Sequence, residues 1–235
     1  MNNFVSAKTI KEAEEYAQQF VSTLKNKYSG NVSYSSMDIE YANKVNKVLT
    51  ETFAKYDFGR LDNIKPINFK EKRFKNSTST AAYDWSNETL LFNGRYFKDA
   101  KALAAHMKEA DYLLQEVIEN GKILLEKQGR TESEKWLIET VMKTGRQCVA
   151  QSHDYVETTF HHEMGHVLDD KIFKFQNTKN HDFLMESMKK YAGNISGYAT
   201  QSSAEYIAES YAAYCNGEID ILDPEIVKIF KGAEK

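Results

Sequence analysis

Cysteine and proline are scarce in this chain, with two of each among 235 residues. Cys148 and Cys215 are too few for the disulfide framework of a small secreted domain, and neither stands in a metal-ligand spacing such as C-x-x-C. They read as buried free thiols. No apolar run approaches the roughly 18 residues of a membrane span, and Met1-Asn2-Asn3-Phe4 lacks the basic and apolar regions of a signal peptide. Neither sign of charge dominates. A net charge of −3 gives no reason to expect a nucleic-acid partner. The one basic cluster, Lys70-Glu71-Lys72-Arg73-Phe74-Lys75, is short and reads as a solvated strand or loop. There is no internal repeat, low-complexity tract or linker. A secreted toxin-like domain and a cytoplasmic protein both fit these absences, so localisation stays open.

What is present is a core-forming composition: 41% hydrophobic and 12% aromatic residues support one packed domain over 1–235. The expected class is α+β, predominantly helical. Residues 1–60 form a helical N-terminal part, with helices over Ala7–Tyr28 and from after Ser36 to about Tyr56, where apolar residues recur at helical spacing. Residues 61–97 form a strand region. Thr78–Trp85 and Leu90–Phe97 are rich in β-branched and aromatic residues, and Ser86-Asn87-Glu88-Thr89 separates them as a turn. Residues 98–150 are a helical insertion, about Lys98–Glu119 and Glu132–Lys143. The second of these opens on a Thr131/Glu134 capping box and closes at Gly145. Residues 151–216 carry helices starting after Asp154 and running to about Phe173, then about Asp182–Tyr191 and Ser203–Asn216. A C-terminal helix, announced by Asp223-Pro224, fills 217–235.

His162-Glu163-Met164-Gly165-His166 is the sharpest signal. A helix turns once per 3.6 residues and rises about 1.5 Å per residue, so His162 and His166 share a face roughly 6 Å apart and can bind one cation. Glu163, about 100° around the helix, can reach water at the metal without ligating it. That is the arrangement of a zinc peptidase. Such an enzyme also needs a sheet edge to which an extended substrate adds. The hairpin could supply that edge, or could be an ordinary core hairpin.

A catalytic zinc takes three protein ligands. The H-E-x-x-H-x-x-G-x-x-H class is excluded, because its glycine and histidine positions are Asp169 and Ile172 here. His106, His153 and His181 have no supporting motif, and His161 points away from His162 as a helix-surface residue. Glu205 and Glu209 share a helical face at i and i+4. On spacing alone they are equally well a ligand-bearing pair or a surface pair, with Ser202 and Glu205 forming a capping box.

The stretch 162–214 resembles the catalytic core of anthrax lethal factor and its relatives, the Pro-Pro endopeptidases among them. In that family H-E-x-G-H is followed by V/L-D-D, then by a tyrosine seven residues before a glutamate that begins E-x-x-A-E. The counterparts here are His162–His166, Val167-Leu168-Asp169-Asp170, Tyr198, and Glu205-Tyr206-Ile207-Ala208-Glu209. The resemblance implies a zincin-like metallopeptidase fold of the gluzincin type and one Zn²⁺ per chain held by His162, His166 and Glu205. It also implies Glu163 as general base and Tyr198 as hydrogen-bond donor to the oxyanion, with Glu209 behind His162. Asp169 and Asp170 are weaker candidates: Asp170 lies four residues past His166 and could support a ligand, but reads more readily as part of a solvated helix end. Ala199 and Thr200 stand where lethal factor has glycine and arginine, a departure that touches substrate preference rather than metal binding.

The expected function is that of a zinc endopeptidase acting on a protein or peptide, with no nucleic acid and no membrane span. The alternative is a catalytically silent, zinc-stabilised structural or binding module of a phage or mobile-element particle. A purely structural metal site would need neither Glu163 nor Tyr198. Substrate, delivery route and oligomeric state are not written in the sequence.

Overall fold

Caps and apolar periodicity lay out the elements of the computed structural model, which describes residues 4–22, 30–175 and 180–235. The class is α+β, predominantly helical, with one small mixed sheet. By internal contacts the chain gathers into two compact units, residues up to His106 with Lys235 and residues Met107–Glu234. Among the described residues no helix is long and apolar enough to cross a membrane.

In the first unit, helix α1 (Ile10–Ala17) starts where the Thr9 hydroxyl accepts from the Glu12 N–H, and α2 (Ile39–Lys55) starts where Asp38 accepts from the Glu40 N–H. The two pack together through Ala13, Ala17, Val45 and Leu49, all fully buried. Between them the Asn46 amide donates to Ala13 O at 2.9 Å and its oxygen accepts from the Tyr34 hydroxyl at 2.6 Å, so the buried polar atoms are satisfied. Strands β1 (Asn31–Val32), β2 (Asn63–Pro66), β3 (Ala81–Asp84) and β4 (Thr89–Phe92) form a sheet of order β1-β2-β4-β3. The β1–β2 and β2–β4 pairs are parallel and β3–β4 is an antiparallel hairpin, with Ala81 opposite Phe92 and Asp84 opposite Thr89. Every residue of β4 is buried, as expected of an inner strand covered on both faces. The hairpin turn is tied down by Asp84, which accepts from Arg73 at 2.5 Å, Asn87 at 2.7 Å and the Ser86 hydroxyl at 2.8 Å.

Two elements of this unit differ from the sequence reading. The first helix, expected over Ala7–Tyr28, gives way after Ala17 to a 3₁₀ turn at Gln18–Phe20 and then to extended backbone at Val21. There Leu61 N–H donates to Phe20 O at 3.0 Å and Ser22 N–H to Leu61 O at 2.6 Å. Strand-type pairing with a distant segment thus overrides a local helical period; residues 23–29 of that expected helix lie outside the described residues. The strand expected over Leu90–Phe97 stops at Phe92, because the Asn93 side chain accepts from the Arg95 N–H and caps a short helix α3 (Gly94–Phe97).

Helix α4 (Ala100–Glu126) leads into the second unit and runs past the end expected near Glu119. It continues through Gly121, where a Cβ would run into the Met142 side chain of α5 (Glu132–Thr144), so the glycine permits the close approach. The α5 capping box forms as expected, and Gly145 ends the helix at φ 70°. Next come α6 (Tyr155–Leu168), α7 (His181–Ile195), α8 (Ser203–Cys215) and α9 (Pro224–Ala233). The core lies between α6 and α8, with Phe160, Met164, Val167, Leu168, Ile207 and Ala212 fully buried. Helix α9 closes it with Phe230, whose ring meets Tyr211 edge-on at 5.5 Å. Beyond Leu168 the chain does not stay α-helical to Phe173: it widens into a π-helical turn over Asp169–Phe173.

Candidate metal centre

Helix α6 begins at Asp154, whose carboxylate accepts from the Glu157 N–H at 3.0 Å. From Val156 to Leu168 nearly every side chain is buried, including His161, His162, Glu163 and His166. Ionisable side chains go unexposed only when something compensates them, and here the compensation comes from α8. Its N-cap Ser202 accepts from the Glu205 N–H at 3.1 Å. The Glu205 carboxylate faces α6, with Oε2 at 3.1 Å from His162 Nε2 and 3.5 Å from His166 Nε2. One turn further on, Glu209 Oε1 lies 2.8 Å from His162 Nδ1.

What allows this meeting is a small residue on each helix. A Cβ at Gly165 would sit 2.8 Å from Ala208 Cα and 3.2 Å from Ala208 O, so the two backbones are already in contact there. His162 and His166 stand three before and one after Gly165. Glu205 and Glu209 stand three before and one after Ala208. The two i, i+4 pairs therefore straddle one crossing point, and packing at that point faces the two imidazoles toward the two carboxylates. A larger residue at either position would hold them apart.

His162, His166 and Glu205 could hold a metal ion, each offering one donor atom with all donors within 4.8 Å of one another. Tetrahedral donors at zinc bond lengths lie about 3.3 Å apart, and the 3.1 and 3.5 Å separations bracket that value. Moreover, Glu205 Oε2 is buried and makes no well-aligned hydrogen bond among the described residues, although two imidazole nitrogens face it. A buried carboxylate oxygen facing two imidazole nitrogens fits a cation between them. Two imidazoles with one carboxylate are also a donor set of catalytic zinc.

The electrostatics agree. Burial alone would lower the pKa of His162, but the Glu205 and Glu209 carboxylates outweigh it and hold His162 well above its ordinary value, with Glu163 adding to their effect. Burial alone would likewise raise the Glu205 carboxyl, and contact with the two imidazoles holds it below the usual carboxylate range. The pocket thus favours positive charge. Tyr198 opens a 3₁₀ turn (Tyr198–Thr200), its ring 5.7 Å from that of His162. Burial first, then the charges of Glu205, Glu163 and Glu209, raise its hydroxyl pKa, so it stays protonated and able to donate.

The remaining sequence candidates sort differently. Asp169 is buried but accepts from the Phe175 N–H at 2.9 Å, tying the end of the π-helical turn. His161 is not a surface residue: it is buried, edge-on to Tyr211 at 6.4 Å. His153 pairs with Glu218 at 2.9 Å, and His106 stacks on Tyr96 in the first unit. Neither cysteine is in a disulfide; burial, helped by the charge of Glu209, pushes the Cys148 thiol up to about 12. Two groups that sequence reasoning missed hold the far oxygen of Glu209: the Val149 N–H at 2.8 Å and the Ser196 hydroxyl at 2.6 Å. A backbone amide leaves no residue signature, and Ser196 belongs to none of the spaced motifs. Comparison with protein-family models, with curated proteins and with solved structures gave no match.

Proposed function

We propose that this protein is a zinc-dependent endopeptidase of the lethal-factor type, with a zincin-like fold and a protein or peptide substrate. The observation that carries this reading is the convergence of Glu205 on His162 and His166 at 3.1–3.5 Å, with Glu163 buried on the same helix as the histidines and the Tyr198 ring 5.7 Å from His162. His162, His166 and Glu205 would hold the zinc. A bound zinc would supply Lewis acidity there, making water a stronger acid and a carbonyl more electrophilic. Glu163 takes the proton from the attacking water and delivers it to the leaving amine. The Tyr198 hydroxyl donates to the developing oxyanion. Glu209 accepts from His162 Nδ1 and so fixes the tautomer that presents Nε2 as a ligand.

Two measurements test the proposal. Purified wild type should contain one zinc per chain and His162→Ala none; a metal-free wild type would sink the reading. A peptide library should be cut by wild type and left intact by Glu163→Ala, which keeps its zinc and its fold. Zinc retained in both with no cuts in either would replace the enzyme with a structural zinc module.

A further inference from the structure

We propose that Ser196 is a positioning residue for the metal centre: its hydroxyl fixes the Glu209 carboxylate and, through it, His162. The inference rests on the reading of His162, His166 and Glu205 as zinc ligands and adds a residue that no motif marks. Ser196 is fully buried, at the junction between α7 and the Tyr198 turn. Its Oγ accepts from the Ala199 N–H at 3.1 Å, which occupies the lone-pair side and leaves the hydroxyl hydrogen to point at Glu209 Oε2, 2.6 Å away. The other oxygen of the same carboxylate meets His162 Nδ1 at 2.8 Å. A carboxylate rotates freely about its last torsion unless both oxygens are engaged. Val149 N–H and the Ser196 hydroxyl together engage the far one.

The backbone under Ser196 is clamped on both sides, which makes its hydroxyl an aimed group rather than an adaptable one. Arg146 Nε donates to Ile195 O at 2.6 Å, Gly197 N–H to Arg146 O at 3.3 Å, and Tyr198 N–H to Gln147 O at 2.7 Å. Arg146 is itself held by a two-pronged pair with Glu218, at 2.8 and 2.6 Å. Gly197 fits only because it lacks a side chain: a Cβ there would be 2.5 Å from Val141 Cγ2. Removing the hydroxyl therefore leaves Glu209 held at its far oxygen by the Val149 N–H.

Outer partners of metal-bound histidines typically contribute 10- to 100-fold to metal affinity. Ser196 stands one step further out, so Ser196→Ala should weaken zinc binding by about 10-fold, at the lower end of that range. The measurement is a chelator-competition titration of wild type and Ser196→Ala, alongside thermal melts of both proteins freed of zinc. A role in folding alone would lower the zinc-free melting temperature and leave affinity unchanged, and that result overturns the proposal. If Ser196→Ala does not fold, Ser196→Cys substitutes a group of similar size with a weaker donor. Its affinity should fall by a smaller factor, and wild-type affinity in folded Ser196→Cys also overturns the proposal. Failure of wild type to bind zinc at all is a different result, which removes the ligand assignment beneath it.

Discussion

Tyr198 stands with its ring 5.7 Å from His162 and its hydroxyl kept protonated by burial and by three carboxylates. In the proposed enzyme such a donor would act in the transition state and hardly at all in the ground state. Removing one oxyanion donor costs roughly 2.7–4 kcal/mol of transition-state stabilisation. Tyr198→Phe should therefore lower kcat by about 100- to 1000-fold, leave KM within a few-fold and leave zinc content unchanged. Steady-state kinetics on a cleaved peptide checks this, and equal losses in zinc content and kcat would reassign Tyr198 to metal binding. At this scale helical spacing put His162 with His166, and Glu205 with Glu209, on shared faces, but for the glutamates spacing alone fitted a surface pair equally well, and only the resemblance to a known family chose between the two. The sequence was illegible where the partner is a peptide N–H, as at Val149, or a single hydroxyl, as at Ser196. The burial of His161 was hidden too, because α6 is covered on all sides and not on one apolar face.

Among the elements, the crossing of α6 and α8 matters most to the site. The Cβ of Gly165→Ala would press on Ala208 Cα at 2.8 Å and on Tyr211 Cβ at 3.1 Å, main-chain and near-main-chain atoms that cannot turn aside. Overpacking of this sort costs about 1–3 kcal/mol, and prising the helices apart also separates the histidine pair from the glutamate pair. Gly165→Ala should lower the urea midpoint of the zinc-free protein and weaken its zinc binding. Gly232→Ala, in α9 with nothing within 4 Å of the added methyl, should be neutral or stabilising. Equal effects at the two glycines would refute the crossing argument. Capped elements such as α5, α6 and α9 were readable because a side chain at each start marks it, whereas the start of α2, read from apolar spacing as after Ser36, lies at the Asp38 cap. Elements ended by distant pairing were not readable: nothing near Ala17 foretells the hydrogen bonds that Leu61 exchanges with Phe20 and Ser22.

For the molecule as a whole, pH acts on both units through carboxylates outside the metal centre. In the first unit, burial would raise Asp84, but hydrogen bonds from Arg73, Asn87 and Ser86 hold it below the usual range. In the second, burial would raise Glu218, and Arg146 and His153 pull it down. A carboxyl with a depressed folded pKa contributes stability that is complete above its unfolded value, about 3.9 for Asp and 4.3 for Glu, and that is lost as pH falls toward the folded value. Urea midpoints of the zinc-free protein should therefore decline below about pH 4, and Asp84→Asn should flatten that decline for the first unit. An acid limb identical in Asp84→Asn and wild type would mean that the hairpin carboxylate is not its source.

The contact between His162 and Glu209 joins residues 47 apart in sequence. With zinc at the proposed site, two histidines on a single helix would capture it weakly as soon as that helix forms, whereas tight capture would wait until α8 has docked on α6. The metal would thereby become a stopwatch for folding. After dilution from denaturant, high-affinity zinc uptake should lag behind the gain of helical circular dichroism, and Gly165→Ala should lengthen the lag while leaving the helical phase unchanged.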